Sequence, residues 1–424
     1  MKKLLFSLSV CLFCAHIVLA QAPTPTTPTS LTTLPSPREG QGVGPTPLER
    51  LDSMVRDTLL DTTQAAIMVW DLTEGRSLFC YNHRQIMRPA STMKLLTAIT
   101  ALDQLGGQHS FQTSLYYTGT IADGALRGDL YCVGGMDPMF DYADMDSLVQ
   151  AVKALGVNRI IGRVVADTSM KDTLRWGEGW CWDDDNMTLT PLLVGRKDEF
   201  TKVLTAKLVR AGIDTRNLRA DTGRLPSRAA TTPGASASGP HAPVLIAVRS
   251  HSIADVLYTM MKESDNLYAE SMFYQTAASS GHRPARATDA IRLERALIER
   301  AGLDSKPYRI ADGSGLSLYN YLSAELEVAL LRYAYQRVDL YDRLLPTLPV
   351  AGVDGTLKKR MKGTAAEGNV QAKTGTLTGV ISLAGYLTAA NGHRLCFAIL
   401  NQGTLRASDA REFQDKICRI LCEP

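Results

Sequence analysis

The chain has 424 residues, more than one compact domain usually contains, and this length predicts two or three structural parts. Its 46 Lys and Arg residues stand against 43 Asp and Glu residues, and no run of like charges stands out. This balance argues against a nucleic-acid-binding protein, which would carry a basic patch.

The N-terminus has the pattern of an export signal. Lys2 and Lys3 precede an apolar stretch that ends at the small residue Ala20, so we predict a signal peptide over residues 1–20 that is cleaved during export to the periplasm. A transmembrane anchor is the alternative, although the stretch is shorter than a membrane span usually needs. Peripheral association with a membrane stays open.

A linker and then a helix are predicted next. Residues 21–47 alternate Pro and Thr with few large apolar residues, a composition typical of a disordered segment. Leu48, Leu51, Val55 and Leu59 then follow the spacing of an amphipathic helix. The folded part of the chain is therefore predicted to begin at residue 48.

Strand-like runs occur near both ends of this folded part. Residues 65–71 and 77–81 flank a turn, and residues 380–387 and 395–400 flank an Asn-Gly pair, which is a strong hairpin signal. A helix with an apolar stripe ends the chain. We predict an α/β fold in which strands from both termini share one sheet that helices cover.

The middle of the chain is predicted to be an insertion. Residues 108–243 have shorter strand-like pieces, one predicted helix over 198–211 and a low-complexity loop from Pro226 to Pro243. The main domain would then consist of residues 48–107 and 244–424.

Cysteine and histidine spacing gives no metal site. Cys11 and Cys14 lie in the predicted signal peptide, and the other cysteines lack a Cys-x-x-Cys pair. Export permits disulfides without fixing their pattern. The seven histidines have no metal-ligand spacing either, so no metal and no cofactor is predicted.

Ser91 and Lys94 form the first candidate catalytic motif, at the start of an apolar helix. Their spacing puts both side chains on one helix face. A buried lysine can have its pKa lowered enough to take the proton of a serine hydroxyl, and a helix N-terminus offers N–H groups to an oxyanion. An ordinary Ser cap followed by a solvated Lys is the alternative.

Ser264 and Asn266 form a second polar motif, in a Ser-Asp-Asn turn between helical segments. Ser264 could relay a proton and Asn266 could hold a substrate amide, although Ser, Asp and Asn also cap helices. A third motif, Lys373-Thr374-Gly375-Thr376, precedes the strand over 380–387. An edge strand with a glycine suits the binding of an extended peptide, and a lysine would attract its carboxylate.

These three motifs occur together in the order and context of the signature set of penicillin-binding proteins and serine β-lactamases. The chain most resembles the D-alanyl-D-alanine carboxypeptidase and endopeptidase family typified by penicillin-binding protein 4, the low-molecular-mass class C group. The resemblance extends from about residue 48 to the end and includes three further stretches, at 131–138, 312–317 and 352–357.

The resemblance implies a β-lactamase/transpeptidase-like catalytic domain that carries smaller inserted domains. It implies that Ser91 is acylated, that Lys94 is its base, and that Ser264 and Asn266 assist. It also implies that Lys373 with Thr374 holds the terminal carboxylate and that the N–H groups of Ser91 and Thr376 form the oxyanion hole. Gly375 is a candidate substrate-binding residue, because a glycine allows close approach.

One acidic residue of the insertion is a further candidate by resemblance. The Trp-x-Trp segment that begins at Trp180 resembles a family segment that places a carboxylate beside the cleft. Asp184 is our candidate, and it would pair with the free amine of a diamino acid in the stem peptide. A surface acidic turn is the alternative, because Asp183, Asp184 and Asp185 follow one another.

The expected reaction is serine-type hydrolysis of D-alanyl peptide bonds in peptidoglycan, as a carboxypeptidase, an endopeptidase or both. The expected partners are peptidoglycan peptides, with β-lactam antibiotics as covalent inhibitors and no nucleic acid; the oligomeric state is not predicted. A serine β-lactamase and a non-catalytic cell-wall scaffold are the rival functions. The large insertion and the absence of a clear deacylating glutamate argue against the first, and intact Ser91 and Lys94 against the second.

Overall fold

The computed structural model describes residues 45–184, 186–226 and 242–424. The described residues belong to one compact unit, Pro45–Pro424. The predicted signal peptide, nearly all of the predicted linker and most of the low-complexity loop lie outside the described residues. Within the described part of the chain, no helix is both long and apolar enough to cross a membrane.

Ten α-helices lie within the described residues: α1 (Pro47–Met54), α2 (Lys94–Leu105), α3 (Tyr142–Ala154), α4 (Phe200–Arg210), α5 (Ile253–Lys262), α6 (Asn266–Ser279), α7 (Ala287–Arg300), α8 (Ala324–Tyr335), α9 (Val338–Leu344) and α10 (Ala407–Cys422). The same residues form twelve strands: β1 (Gln64–Asp71), β2 (Arg76–Tyr81), β3 (Ser110–Tyr117), β4 (Thr120–Ala122), β5 (Ala125–Arg127), β6 (Leu130–Val133), β7 (Arg159–Asp167), β8 (Asp214–Thr222), β9 (Val244–Ser252), β10 (Gln371–Leu377), β11 (Val380–Thr388) and β12 (Arg394–Gln402).

Strands from the two ends of the chain form one antiparallel sheet, in the order β10-β11-β12-β1-β2. The first strand pairs with the last over its whole length, from Gln64 opposite Gln402 to Asp71 opposite Leu395. Both predicted hairpins and the predicted sharing of one sheet are confirmed. Strand β10, which carries the third motif, lies at an edge of this sheet.

Helices cover both faces of this sheet, and strand β12 shows why its sequence is almost continuously apolar. Phe397 and Ile399 join the buried cluster that contains residues of α1 and α10. Ala398 and Leu400 join the cluster on the opposite face, with residues of α2, α5 and α8. Burial of each large apolar side chain stabilises the fold by about 1.5–3 kcal/mol. Because β12 packs against helices on both faces, neither face is exposed to solvent, and apolar residues are favoured along the whole strand.

A second, mixed sheet lies mostly within the predicted insertion. Its strand order is β4-β5-β7-β6-β3-β9, and β8 pairs with β7. Its own buried cluster includes side chains of α3 and α4, such as Leu148 and Leu204. Strand β9 begins at Val244, just after the predicted end of the insertion, and the boundaries 108–243 stay a prediction.

Helix α1 is shorter than its apolar spacing predicts. It begins with a capping box, in which the Thr46 side chain accepts a hydrogen bond from the Glu49 N–H and Glu49 bonds back to Thr46. It ends at Met54, and Leu59 belongs to a separate 3-10 turn. The Leu59 N–H donates a hydrogen bond to the Asp57 carboxylate, which caps this turn. A local side-chain cap therefore interrupts a continuous apolar pattern.

Gly385 gives a test of the packing between β10 and β11. A Cβ atom at this position would lie 2.2 Å from the backbone oxygen of Gln371 and 2.5 Å from the Cα of Ala372. Gly385→Ala should therefore push β10 away from β11 and lower the free energy of unfolding by about 1–3 kcal/mol. Denaturant unfolding monitored by circular dichroism measures this loss; an unchanged midpoint would show that the two strands are not so closely packed.

Candidate active site

The turn that carries Ser91 is fixed by buried hydrogen bonds. A 3-10 turn, Ala90–Met93, leads directly into α2, so Ser91 lies just before the α-helix rather than at its first residue. The Thr92 hydroxyl donates to the Pro89 carbonyl over 2.7 Å, and the Ser382 hydroxyl of β11 donates to the same carbonyl. Ala90 has a φ of 49°, a strained value for a residue other than glycine, next to the predicted nucleophile.

Lys94 lies directly behind Ser91 with its amine fully buried. Its Nζ atom donates to Ser91 Oγ over 3.0 Å, to Asn266 Oδ1 over 2.7 Å and to the Ser314 carbonyl over 2.7 Å. These three acceptors satisfy all three donors of an ammonium group. The amine is therefore held in one position, within reach of the serine hydroxyl.

Burial lowers the pKa of Lys94 from 10.5 to about 8. Loss of water around the amine disfavours its charged form, and this effect exceeds the opposing attraction of Asp312, Glu270 and Asp265. With this pKa, roughly a tenth of Lys94 is uncharged at pH 7, far more than of a solvated lysine. An uncharged amine can accept a proton, which a solvated lysine cannot do at this pH.

The Ser-Asp-Asn turn connects α5 to α6 at the cleft. Ser264 has a φ of 60°, the left-handed region that residues other than glycine rarely adopt. Asp265 caps α6 by accepting a hydrogen bond from the Tyr268 N–H. The cap fixes the first residue of α6, Asn266, whose side-chain oxygen meets the Lys94 amine.

Lys373 on β10 completes a second serine–lysine pair. Its buried Nζ atom donates to Ser264 Oγ and to the Thr374 carbonyl, each over 2.7 Å. Burial holds the pKa of Lys373 well below the ordinary lysine range, and the nearby Lys94 lowers it further. Each of the two buried lysines thus donates a hydrogen bond to one serine hydroxyl of the cleft.

Gly375 lets β10 lie directly against the Ser91 turn. A Cβ atom here would lie 2.0 Å from Ser382 Oγ and 2.9 Å from the Ser91 backbone nitrogen. No side chain fits in that space. The edge of β10 and the N–H group of Ser91 therefore face the same volume.

That volume is a cleft of about 560 Å³. Its lining residues are Ser91, Ser264, Asn266, Thr356, Lys359, Arg360, Thr374, Gly375, Thr376, Ile381 and Arg411. All three motifs predicted from the sequence therefore meet at one cleft, with Lys94 and Lys373 buried in contact with its serines. In the described part of the chain, no three His, Cys, Asp or Glu side chains gather as metal ligands.

Asp184 is not among the residues that line this cleft. Its carboxylate accepts a hydrogen bond from the Cys181 N–H over 2.9 Å and so closes its own turn. The turn is connected to the site in another way, because the Trp180 indole N–H donates to the buried Asp312 carboxylate over 2.8 Å. The contact of Asp184 with a substrate amine stays a prediction.

Sequence reasoning missed the groups that hold Lys94 from behind. The Asp312 carboxylate accepts hydrogen bonds from the N–H groups of Gly315 and Ser317, and Glu270 accepts from the N–H of Ser314. These bonds aim the Ser314 carbonyl at the Lys94 amine. The sequence shows the stretch at 312–317 only as a family resemblance, because a contact made by a backbone carbonyl leaves no residue-type signal.

Comparisons with known proteins agree with this geometry. Residues 48–193 and 201–423 match the model of the D-Ala-D-Ala carboxypeptidase 3 (S13) family. A D-alanyl-D-alanine carboxypeptidase from an Actinomadura species is 29% identical, over 84% of this chain and 80% of that protein. The crystal structure of penicillin binding protein 4 from Haemophilus influenzae is similar with a TM-score of 0.77 at 24% identity, over 87% of this chain and 97% of that one. Its complex with a β-lactam has a TM-score of 0.70 at the same identity, over 87% and 98%.

A helix-covered antiparallel sheet with a Ser-x-x-Lys turn beside its edge strand defines a serine hydrolase of the penicillin-binding fold. Because the family model matches most of its length, the chain belongs to the D-Ala-D-Ala carboxypeptidase 3 (S13) family. The fold class, the family and the serine peptidase function predicted from the motifs are thereby confirmed.

The lowered pKa of Lys94 can be measured directly. In protein labelled with ¹³C at the lysine Cε, the Lys94 signal, assigned by its absence in Lys94→Met, should titrate near pH 8. Asn266→Asp should raise this pKa by at least about one unit, because it adds a negative charge at the amine. Titration of the wild-type signal near 10.5 would contradict the burial of the amine.

Proposed function

We propose that Ser91 is the nucleophile of a D-alanyl-D-alanine peptidase and that Lys94 is its general base. The observation that carries this proposal is the 3.0 Å hydrogen bond between a fully buried lysine amine, with a pKa of about 8, and the serine hydroxyl. The uncharged amine takes the hydroxyl proton as Ser91 Oγ attacks the carbonyl of the penultimate D-alanine. The C–N bond then breaks, the leaving amine gains a proton, and an ester joins the acyl group to Ser91.

The substrate peptide would lie along the free edge of β10, as an added antiparallel strand. In that position the scissile carbonyl oxygen would lie between the N–H groups of Ser91 and Thr376, which would stabilise the developing negative charge. The close approach of Gly375 to the Ser91 nitrogen supports this arrangement, since it brings both donors to one side of the cleft.

The other polar groups have roles that follow from their contacts. Ser264, held by Lys373, lies where it could pass a proton to the leaving amine, and Asn266 could bind a substrate amide while it orients Lys94. Thr374 would hold the substrate carboxylate, with the buried Lys373 amine bound to the Thr374 carbonyl. Water then hydrolyses the ester and frees the peptide, and no cofactor takes part.

The cellular setting is also part of the proposal. We infer that the protein is exported to the periplasm, cleaves peptidoglycan stem peptides there and is acylated by β-lactams. The β-lactam complex of the H. influenzae protein and the Lys-rich, apolar N-terminus support these inferences. Asp184 would recognise the amine of a diamino acid after its turn rearranges to release the Cys181 N–H.

Replacement of the nucleophile gives the first test. Benzylpenicillin should add one molecule to the Ser91 peptide of the wild-type protein, as mass spectrometry measures, and Ser91→Ala should carry no adduct. Release of D-alanine from a pentapeptide should fall at least about a thousandfold in Ser91→Ala. Ser147→Ala, on the exposed side of α3, serves as the control and should behave as wild type. An adduct that survives in Ser91→Ala would refute the assignment, and rapid drug turnover would identify a β-lactamase instead.

The pH dependence of acylation tests the base. Only uncharged Lys94 can accept the proton, so the acylation rate constant should rise about tenfold per pH unit below pH 8 and level off above it. Lys94→Arg should be inactive at every pH, because a guanidinium stays protonated. Stopped-flow measurement with a chromogenic β-lactam between pH 5.5 and about 9.5 spans this range. A rate independent of pH in wild type would exclude Lys94 as the base.

A further inference from the structure

A second cavity, of about 420 Å³, lies where the second sheet meets the loop between α6 and α7. Arg224, just after β8, and Arg283 and Arg286, just before α7, line it. Most of the remaining wall is the segment over residues 168–173, which follows β7. None of the described residues that line it also lines the catalytic cleft. We call this cavity the arginine pocket.

Backbone hydrogen bonds hold two walls of the arginine pocket together. The Ala285 N–H donates to the Met170 carbonyl over 2.8 Å, and the Asp172 N–H donates to the Ala285 carbonyl over 3.0 Å. The Ala285 side chain itself is buried. The loop before α7 is therefore fixed against the segment that follows β7, which gives the pocket a defined shape.

The acidic residue Asp172 in the wall is neutralised by its neighbour Lys171. The Lys171 Nζ atom donates to the Asp172 carboxylate over 3.0 Å and to the carbonyl groups of Asp172 and Leu174. These three acceptors use all three donors of the ammonium group. The Lys171 side chain is fully buried, with its amine 4.6 Å from the centre of the Tyr274 ring. The pair therefore adds no net charge to the pocket.

The three arginines have no carboxylate partner in the described part of the chain. Carboxylates close to the lining residues in the sequence are engaged with other groups: Asp167 with the N–H groups of Ser169 and Leu225, Asp221 with Arg163, and Asp289 with His282. The sequence of residues 227–241, which comes soon after Arg224, contains no Asp or Glu. Three positive charges of the described residues therefore line one pocket.

We propose that the arginine pocket binds a carboxylate on a neighbouring stem peptide of the peptidoglycan polymer, outside the cleft where cleavage occurs. Carboxylates are the fixed anions of stem peptides, and a guanidinium binds one through two parallel charge-assisted hydrogen bonds. A bound carboxylate also offsets the mutual repulsion of the three arginines. The inference rests on the proposed function, which supplies the polymer as the substrate.

The arginine pocket lies apart from the cleft, farther along α6. Asn266, the first residue of α6, contacts the Lys94 amine at the cleft, whereas Tyr274 packs against Lys171 at the pocket. Asn266 and Tyr274 are about 12 Å apart along the axis of an α-helix. The stem that is cleaved lies along β10 in the proposed function, so a carboxylate in the arginine pocket comes from a neighbouring stem.

A contact of this kind favours the intact polymer over soluble peptides. Intact peptidoglycan presents many stems in one network, so a second contact keeps the enzyme on the network and raises the effective concentration of further stems. A free pentapeptide has no neighbouring stem and gains nothing from the pocket. Loss of the pocket should therefore affect the polymer alone.

Binding to purified sacculi, measured by sedimentation in a Ser91→Ala background that prevents cleavage, tests the pocket. Arg224→Gln, Arg283→Gln and Arg286→Gln combined should raise the Kd for sacculi at least about tenfold, the effect of losing charge-assisted contacts. With Ser91 intact, the same three changes should alter kcat/KM for a soluble pentapeptide about twofold or less. Lysine at all three positions keeps the charge without the fork and should recover part of the affinity.

A matched variant controls for net charge. Lys153→Gln, Arg210→Gln and Lys306→Gln combined removes three exposed cations outside the pocket and the cleft, and it should bind sacculi as the wild type does. Sacculi whose carboxylates have been amidated should bind the wild type and the pocket variant equally. Thermal unfolding shows whether the pocket variant is folded; if it is not, Arg283→Gln alone gives the same test with a smaller loss.

Three results would overturn the pocket. They are equal losses in the pocket variant and the matched variant, full binding of sacculi by the pocket variant, and a loss confined to vesicles of phosphatidylglycerol, which would identify a lipid phosphate as the ligand. Each of these results leaves acylation of Ser91 by benzylpenicillin, and with it the proposed function, intact. A wild-type protein that benzylpenicillin does not acylate would instead overturn the proposed function and the peptidoglycan ligand that depends on it.

Discussion

The structure depends on the burial of one lysine amine behind one serine hydroxyl. An ammonium group without water is costly, and the fold meets that cost with three acceptors from three separate segments: the Ser91 turn, the start of α6 and the 312–317 loop. The same loss of water lowers the pKa of Lys94 to about 8. The burial that makes Lys94 reactive therefore costs the fold stability, and a change that admits water to Lys94 should raise its pKa and lower the reactivity of Ser91.

Buried carboxyl groups behind the helix adjust this balance. Burial raises the pKa of Glu270 to about 8, so Glu270 is largely protonated at neutral pH, and burial also raises the pKa of Glu294 well above its ordinary value. The negative charge of Glu270 raises the pKa of Lys94, so protonation of Glu270 favours the uncharged lysine. Four donors, including the Trp180 indole, surround the Asp312 carboxylate. These hydrogen bonds fix the loop that presents the Ser314 carbonyl to Lys94.

Much of the fold and of the site could be predicted from the sequence, because apolar periodicity determines the strands and residue type identifies the reactive side chains. The shared sheet follows from the apolar runs at both ends, and the cleft from three short motifs whose side chains carry the chemistry. The failures have physical causes. An Asp57 cap ended α1 before its apolar pattern did, and the Ser314 carbonyl contact depends on tertiary structure alone. The role of Asp184 stays a prediction, because three successive aspartates leave its register open in the sequence and its carboxylate closes a local turn in the structure.

The most direct test is a crystal structure of the protein acylated by benzylpenicillin. The account expects an ester on Ser91 Oγ, with the acyl carbonyl oxygen within hydrogen-bonding distance of the backbone nitrogens of Ser91 and Thr376. It also expects Lys94 to stay buried against Asn266 and the Ser314 carbonyl. An ester on another residue, or a Lys94 amine turned out into solvent, would contradict it.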